Sequence, residues 1–196
     1  MNKLAQLSAE GRNRILRDYY DEVFGGLDID PGFEPRLRSV TADLPDDPTP
    51  TQVDAWVELA ELVQAPAFRA RVRGMAGAHS ALRQAGSGEA VTPARATGVE
   101  TVVAEHAGAA LARGVDPASP EAASRLRPIV DALRGDEPDT PEWRLATAER
   151  FATGTDARVE RYSQLLGVIN GWDPFPGMVP AFEWTIAALR AHPVAE

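Results

Sequence analysis

Apolar residues in this chain return at intervals of three and four, the period of amphipathic helices, rather than alternating as they would along strands. The first such run, Ile15, Leu16, Tyr19, Tyr20, Val23 and Phe24, follows Ser8 as N-cap and ends at Gly25 and Gly26, which predicts a helix over residues 8–24. From there to Asp47 the prolines 31, 35 and 45 leave room for at most a short helix over residues 33–40. Four hydroxyl–proline pairs, Thr49-Pro50, Thr92-Pro93, Ser119-Pro120 and Thr140-Pro141, each set a capping side chain before a proline at the first helical position. Helices are therefore predicted over residues 50–64, 67–84, 93–113, 120–134 and 141–153, with Gln52 completing a capping box on Thr49.

Two further helices close the chain. Val159, Tyr162, Leu166 and Ile169 mark the first, Asn170-Gly171 stops it, and residues 172–177 form an aromatic and proline-rich corner before Pro180 opens the second. In that last helix Phe182, Ile186 and Leu189 mark one face while Trp184 and Ala188 mark another, so it is expected to run as an inner rod among other helices. No period-two run of β-branched residues lies between turn residues, and the predicted fold is all-α: one domain over residues 1–196, a bundle of eight to nine helices enclosing an apolar cavity. Gly74, Gly77 and Gly98 thin the helices on either side of QAGSGEA at residues 84–90, so the hairpin over residues 74–98 is expected to be mobile, a lid over the cavity.

Composition narrows the chemistry. The absence of cysteine removes disulfides, thiolate nucleophiles and cysteine-ligated metals. A net charge of −9 repels phosphate backbones, so nucleic acid is not an expected partner for this chain alone. No apolar run approaches a membrane span and no signal segment precedes the first helix, which points to the cytoplasm and away from a membrane. Phosphate-binding glycine loops and the hydrolase elbow are missing, and neither a cofactor nor a metal site is expected, since no histidine pair has ligand spacing.

What remains are histidines, carboxylates and rings. Stripes read as Phe68, Val72, Met75, His79, Leu82 and as Val99, Val103, His106, Ala110 turn one histidine each inward. They are expected at different depths of one elongated cavity, roughly 12–14 Å apart along the axis. Glu183, between Phe182 and Trp184, and Glu58, after Trp56-Val57, are carboxylates whose pKa burial would raise, suiting a general acid; an ion pair with an arginine is the competing reading. Tyr20, Trp56, Met75, His79, His106, Trp143, Tyr162, Trp172, Phe175 and Trp184 make up the expected ligand-binding wall, with core packing as the alternative account of the aromatic rings.

The segments RILRDYYDEVFGGLDIDPGF, LPDDPTPTQVDAWVELAELVQAPAFRARVR, AEHAGAALARGVDPASPEA and ERYSQLLGVINGWDPFPGMVPAFEWTIAALR resemble the C-terminal effector domain of many high-GC bacterial regulators of the MerR family. The resemblance runs from about Ser8 to His192 and is most specific where INGW is followed by PAFEW. It implies an all-helical pocket that, in the antibiotic-sensing branches, wraps a hydrophobic small molecule. The family's winged helix-turn-helix and coiled-coil arm have no counterpart here, so its DNA-binding role is not carried over. The glycine-rich residues 74–98 depart from the family pattern, as does Ser163, where an aromatic residue is expected; the smaller side chain would enlarge the cavity.

Three functions are then in play. The leading one is a stand-alone sensor or sequestration domain that binds a hydrophobic, neutral or cationic, natural-product-like molecule in the central pocket. The alternative is a biosynthetic enzyme of cyclase or isomerase type that folds a flexible substrate in that pocket, with His79, His106 or Glu183 as acid or base. The third is a piece of a longer regulator whose other segments supply dimerisation, which keeps a homodimer among the assemblies to test.

Overall fold

The computed structural model of the chain describes residues 4, 7–28, 42, 44–84, 93–174 and 176–193, with residues 82–83 and 93–97 described by their backbone alone. Among them are eight helices and no strand: α1 (Ala9–Phe24), α2 (Pro50–Gln64), α3 (Pro66–Gln84), α4 (Pro93–Ala112), α5 (Pro120–Arg134), α6 (Pro141–Gly154), α7 (Ala157–Asn170) and α8 (Val179–Ala191). The predicted short helix over residues 33–40 and the turn of the predicted mobile hairpin lie outside the described residues.

The caps act as the sequence implied. Ser8, Thr49, Ser119 and Thr140 each accept a hydrogen bond from the amide three residues on, and Gln52 Oε1 in turn accepts one from the Thr49 amide. After α7, Gly171 takes φ +67°, where a side chain would be strained, so that Trp172 N–H can reach Gly167 O at 2.9 Å and Gly171 N–H can reach Val168 O.

The helices gather into two compact units, Met1–Glu89 with Ala157–Pro176, and Ala90–Asp156 with Gly177–Glu196. In the first, α2 packs against α1, α3 and α7. Its buried residues Ala55, Trp56, Leu59, Ala60 and Val63 form one stripe, which meets Leu16, Tyr19, Tyr20 and Val23 of α1 and Tyr162, Leu165 and Ile169 of α7. Burying a side chain of this size contributes about 1.5–3 kcal/mol, and a dozen or so such groups hold the unit.

Two arginines fix how α3 is rotated. Arg73 Nη1 donates to the carbonyls of Glu22, Val23 and Gly25, satisfying the open end of α1, while Arg69 donates to Val63 O and to the Glu22 carboxylate. With those side chains spent on one flank, the inward ridge of α3 is Phe68, Val72, Ala76 and Ser80, and the Ser80 hydroxyl accepts from Asp28 N–H at 3.1 Å.

In the second unit α8 packs against α4, α5 and α6, so the last helix is an inner rod there. Trp184, Thr185, Ile186, Ala188 and Leu189 are buried, and the Trp184 indole N–H donates to Val115 O at 2.8 Å. Near the end of α8 the buried Arg144 guanidinium makes two 2.6 Å bonds to Asp139 and a third to His192 O, while the His192 ring bonds Pro117 O at 3.0 Å. That network ties the helix end to the start of α6.

Candidate functional site

Five rings from three helices come together in the first unit. Tyr19 stacks on Phe68 with centroids 5.9 Å apart, lies 5.3 Å from Tyr20 and 5.8 Å from Tyr162; Tyr20 faces Phe24 at 6.2 Å, and Phe68 faces Tyr162 at 6.3 Å. These are the separations at which rings attract beyond the area they bury. At the centre the hydroxyls of Tyr20 and Tyr162, 142 residues apart in sequence, share a 2.6 Å hydrogen bond.

Electrostatics keep this cluster uncharged. Burial pushes the Tyr162 hydroxyl far above its ordinary pKa, and the neighbouring Tyr20 adds to the effect both by charge and through the shared hydrogen bond. Tyr19 is pushed up as well, by burial first and by Tyr20 second, with Arg69 pulling weakly the other way. The site is a greasy wall with one neutral polar handle.

Tyr20 and Tyr162 are thus brought together, and Trp56 sits in the same core, wholly buried, its indole N–H donating to Leu4 O at 2.8 Å. Met75 is half-buried on α3. His79 is not inward: it is exposed, one position off the ridge, because the bonds of Arg69 and Arg73 rotate α3 so that Ala76 and Ser80 face the core. Trp172 is also out of the wall, with half its surface in solvent. Phe175 lies outside the described residues.

The remaining candidates belong to the second unit. His106 is half-buried beside the fully buried Val103, Ala107 and Ala110; Trp143 packs at the edge of that core and Trp184 within it. His79 belongs to the first unit and His106 to the second. Glu183 is exposed rather than buried, because α8 turns Trp184 inward and its neighbour outward.

At Glu58 the structure bears out the ion-pair reading. Glu58 is half-exposed and gripped by Arg161 through bonds of 2.6 and 2.5 Å, and that hydrogen bonding holds its carboxyl below the usual range rather than above it. Its contribution to stability is present above about pH 4 and fades as pH falls through the depressed value. Glu58→Gln should cost less than about 1 kcal/mol at neutral pH, with the loss shrinking in high salt, as urea unfolding at two ionic strengths would reveal.

Tyr19, Phe24 and Phe68 were missing from the sequence-derived wall. The i to i+4 spacing of Tyr20 and Phe24 and the place of Phe68 at the head of its stripe were the available signals. Among the described residues, no three histidine, aspartate or glutamate side chains converge as a metal site would require, and no helix is long and apolar enough to cross a membrane. No protein-family model matches the chain, and no curated protein and no solved structure matches it either.

Proposed function

We propose that this chain is a cytoplasmic small-molecule-binding protein, a sensor or sequestering domain that takes up a hydrophobic, neutral or cationic, natural-product-like compound and leaves it chemically unchanged. The observation that carries the reading is the Tyr20–Tyr162 hydroxyl pair within its ring of aromatic side chains. Phenol oxygens keep lone pairs that accept from a hydroxyl or an ammonium, and ring faces attract cations. Ring faces repel an anion where they attract a cation, and the chain's net charge of −9 disfavours an anion further.

The resemblance to MerR-family effector domains points the same way, towards an apolar molecule wrapped by helices. Catalysis has less support: of the nominated acids and bases, His79 and Glu183 are exposed and Glu58 is committed to Arg161. The rings pack against one another, so uptake requires a minor open state, and association should be slower than about 10⁵ M⁻¹ s⁻¹.

A fluorescence titration tests this. Nile red, neutral and planar, and ethidium, cationic and planar, should bind saturably, whereas anilinonaphthalene sulfonate should not. Tyr162→Phe removes half the handle and should weaken ethidium, whose amino groups can donate to a phenol oxygen, about tenfold, the worth of one hydrogen bond near 1.4 kcal/mol. Binding unaltered by that change, or absent altogether, would overturn the proposal. Chemical conversion of bound compounds, seen by mass spectrometry across a natural-product panel, would favour the cyclase or isomerase reading instead.

A further inference from the structure

An open groove lies in the other unit. Ala152 and Thr155 at the end of α6 and Glu183, Ile186, Ala187 and Arg190 of α8 line its volume of about 280 Å³. The four α8 residues fall at i, i+3, i+4 and i+7, one face of that helix, and the groove runs along it for about 10 Å at 1.5 Å per residue. Ile186 with the two alanines supplies an apolar floor.

The two charges in the groove are not equivalent. Arg190 Nη2 is held 2.8 Å from Glu149 Oε1, so its charge is answered on the spot. Glu183 has no hydrogen-bond or ion-pair partner among the described residues, and its carboxylate is the one uncompensated charge on the lining. An apolar trough with a single open anion at one end complements a cation that carries a compact apolar body.

We infer that this groove binds a small primary amine, its ammonium on the Glu183 carboxylate and its hydrocarbon body over Ile186, Ala152 and Ala187. The far end, where the Glu149–Arg190 pair sits, offers nothing to a second ammonium, so a monoamine fits better than a diamine. The volume is at the small end of ligand sites, roughly 300–1,000 Å³, and the pocket is open to water, so affinity is modest, with Kd on the order of 1 mM.

The test is a two-dimensional NMR titration of the full chain with phenethylamine, alongside 3-phenylpropionate as the anionic counterpart. Amides of Ala152, Thr155, Glu183 and Ala187 should shift with phenethylamine and not with the acid. Glu183→Gln should weaken the amine about fivefold, in keeping with an exposed ion pair. Ala187→Leu, at an exposed position where folding is not at stake, fills the trough without changing charge and should abolish the shifts. Tyr162→Phe should leave them untouched, which separates this site from the aromatic cluster. Equal shifts with acid and amine, no saturation, or indifference to Glu183→Gln or Ala187→Leu would overturn the inference.

Discussion

Replacing Trp56 with alanine is expected to lower the stability of the protein by about 3–5 kcal/mol, the cost of truncating a large, fully buried ring. Trp56 has no exposed surface, sits in the stripe by which α2 holds α1, α3 and α7, and gives its indole proton to Leu4 O. Alanine leaves a cavity that these packed helices can only partly close, and it gives up the bond to the part-buried Leu4 carbonyl. Against a typical total of about 5–15 kcal/mol, this is a large fraction. Urea unfolding followed by far-ultraviolet circular dichroism measures it. Trp172→Ala is the internal comparison: with half its surface in solvent, it should change stability by no more than about 0.5 kcal/mol. Equal effects at the two positions would mean that the core is not built around α2.

Asp139→Ala should have the next largest effect, a loss of about 2–3 kcal/mol at neutral pH, because it strands the Arg144 guanidinium, whose side chain is only 6% exposed. The two bonds from Arg144 hold the Asp139 carboxyl below its ordinary value, and the charges of Arg144 and Arg134 help, with burial opposing. A depressed carboxylate stabilises the fold while ionised. Its contribution is therefore complete above about pH 4 and is lost as pH falls through the lower folded value. Unfolding of the two proteins compared from pH 7 downwards should show their stabilities converging in acid. A constant difference across that range would show that the pair is not the source of the loss.

Local structure was written plainly in the sequence, and the reason is physical. Hydroxyl–proline starts and glycine stops act over three or four residues, so the bounds of α2 and α5 can be read from the letters around Thr49 and Ser119, and the end of α7 from Asn170-Gly171. Rotation about a helix axis is a different matter. On α3 the residues Met75 and His79 continue a stripe from Phe68 and Val72 as well as Ala76 and Ser80 do. What decides is Arg69 and Arg73 reaching the carbonyls of Val63 and of the end of α1. That choice depends on partners the chain meets only after folding.

The candidate site was half legible for the same reason. Tyr20 and Tyr162 each lie on an inward stripe, but the bond between their hydroxyls joins α1 to α7 across most of the chain, and no local pattern encodes it. Tyr19 and Phe68, which enclose that bond, looked like ordinary core. Trp172 looked like wall because tryptophan usually buries, yet it follows a left-handed glycine that turns the chain away from α7. The carboxylates show how local geometry decides exposure: Glu183 stands next to Trp184 and Glu58 two places after Trp56, and a helix turns such neighbours about 100° and about 200° apart.

The most direct test of the proposed function is hydrogen exchange with and without Nile red, read on the amides of α1 and α7. Binding at the aromatic cluster predicts slower exchange around Tyr19 and Tyr20 and around Tyr162 together, with the amides of α6 and α8 unaffected. Protection that spares both α1 and α7, with the dye bound elsewhere, would contradict it.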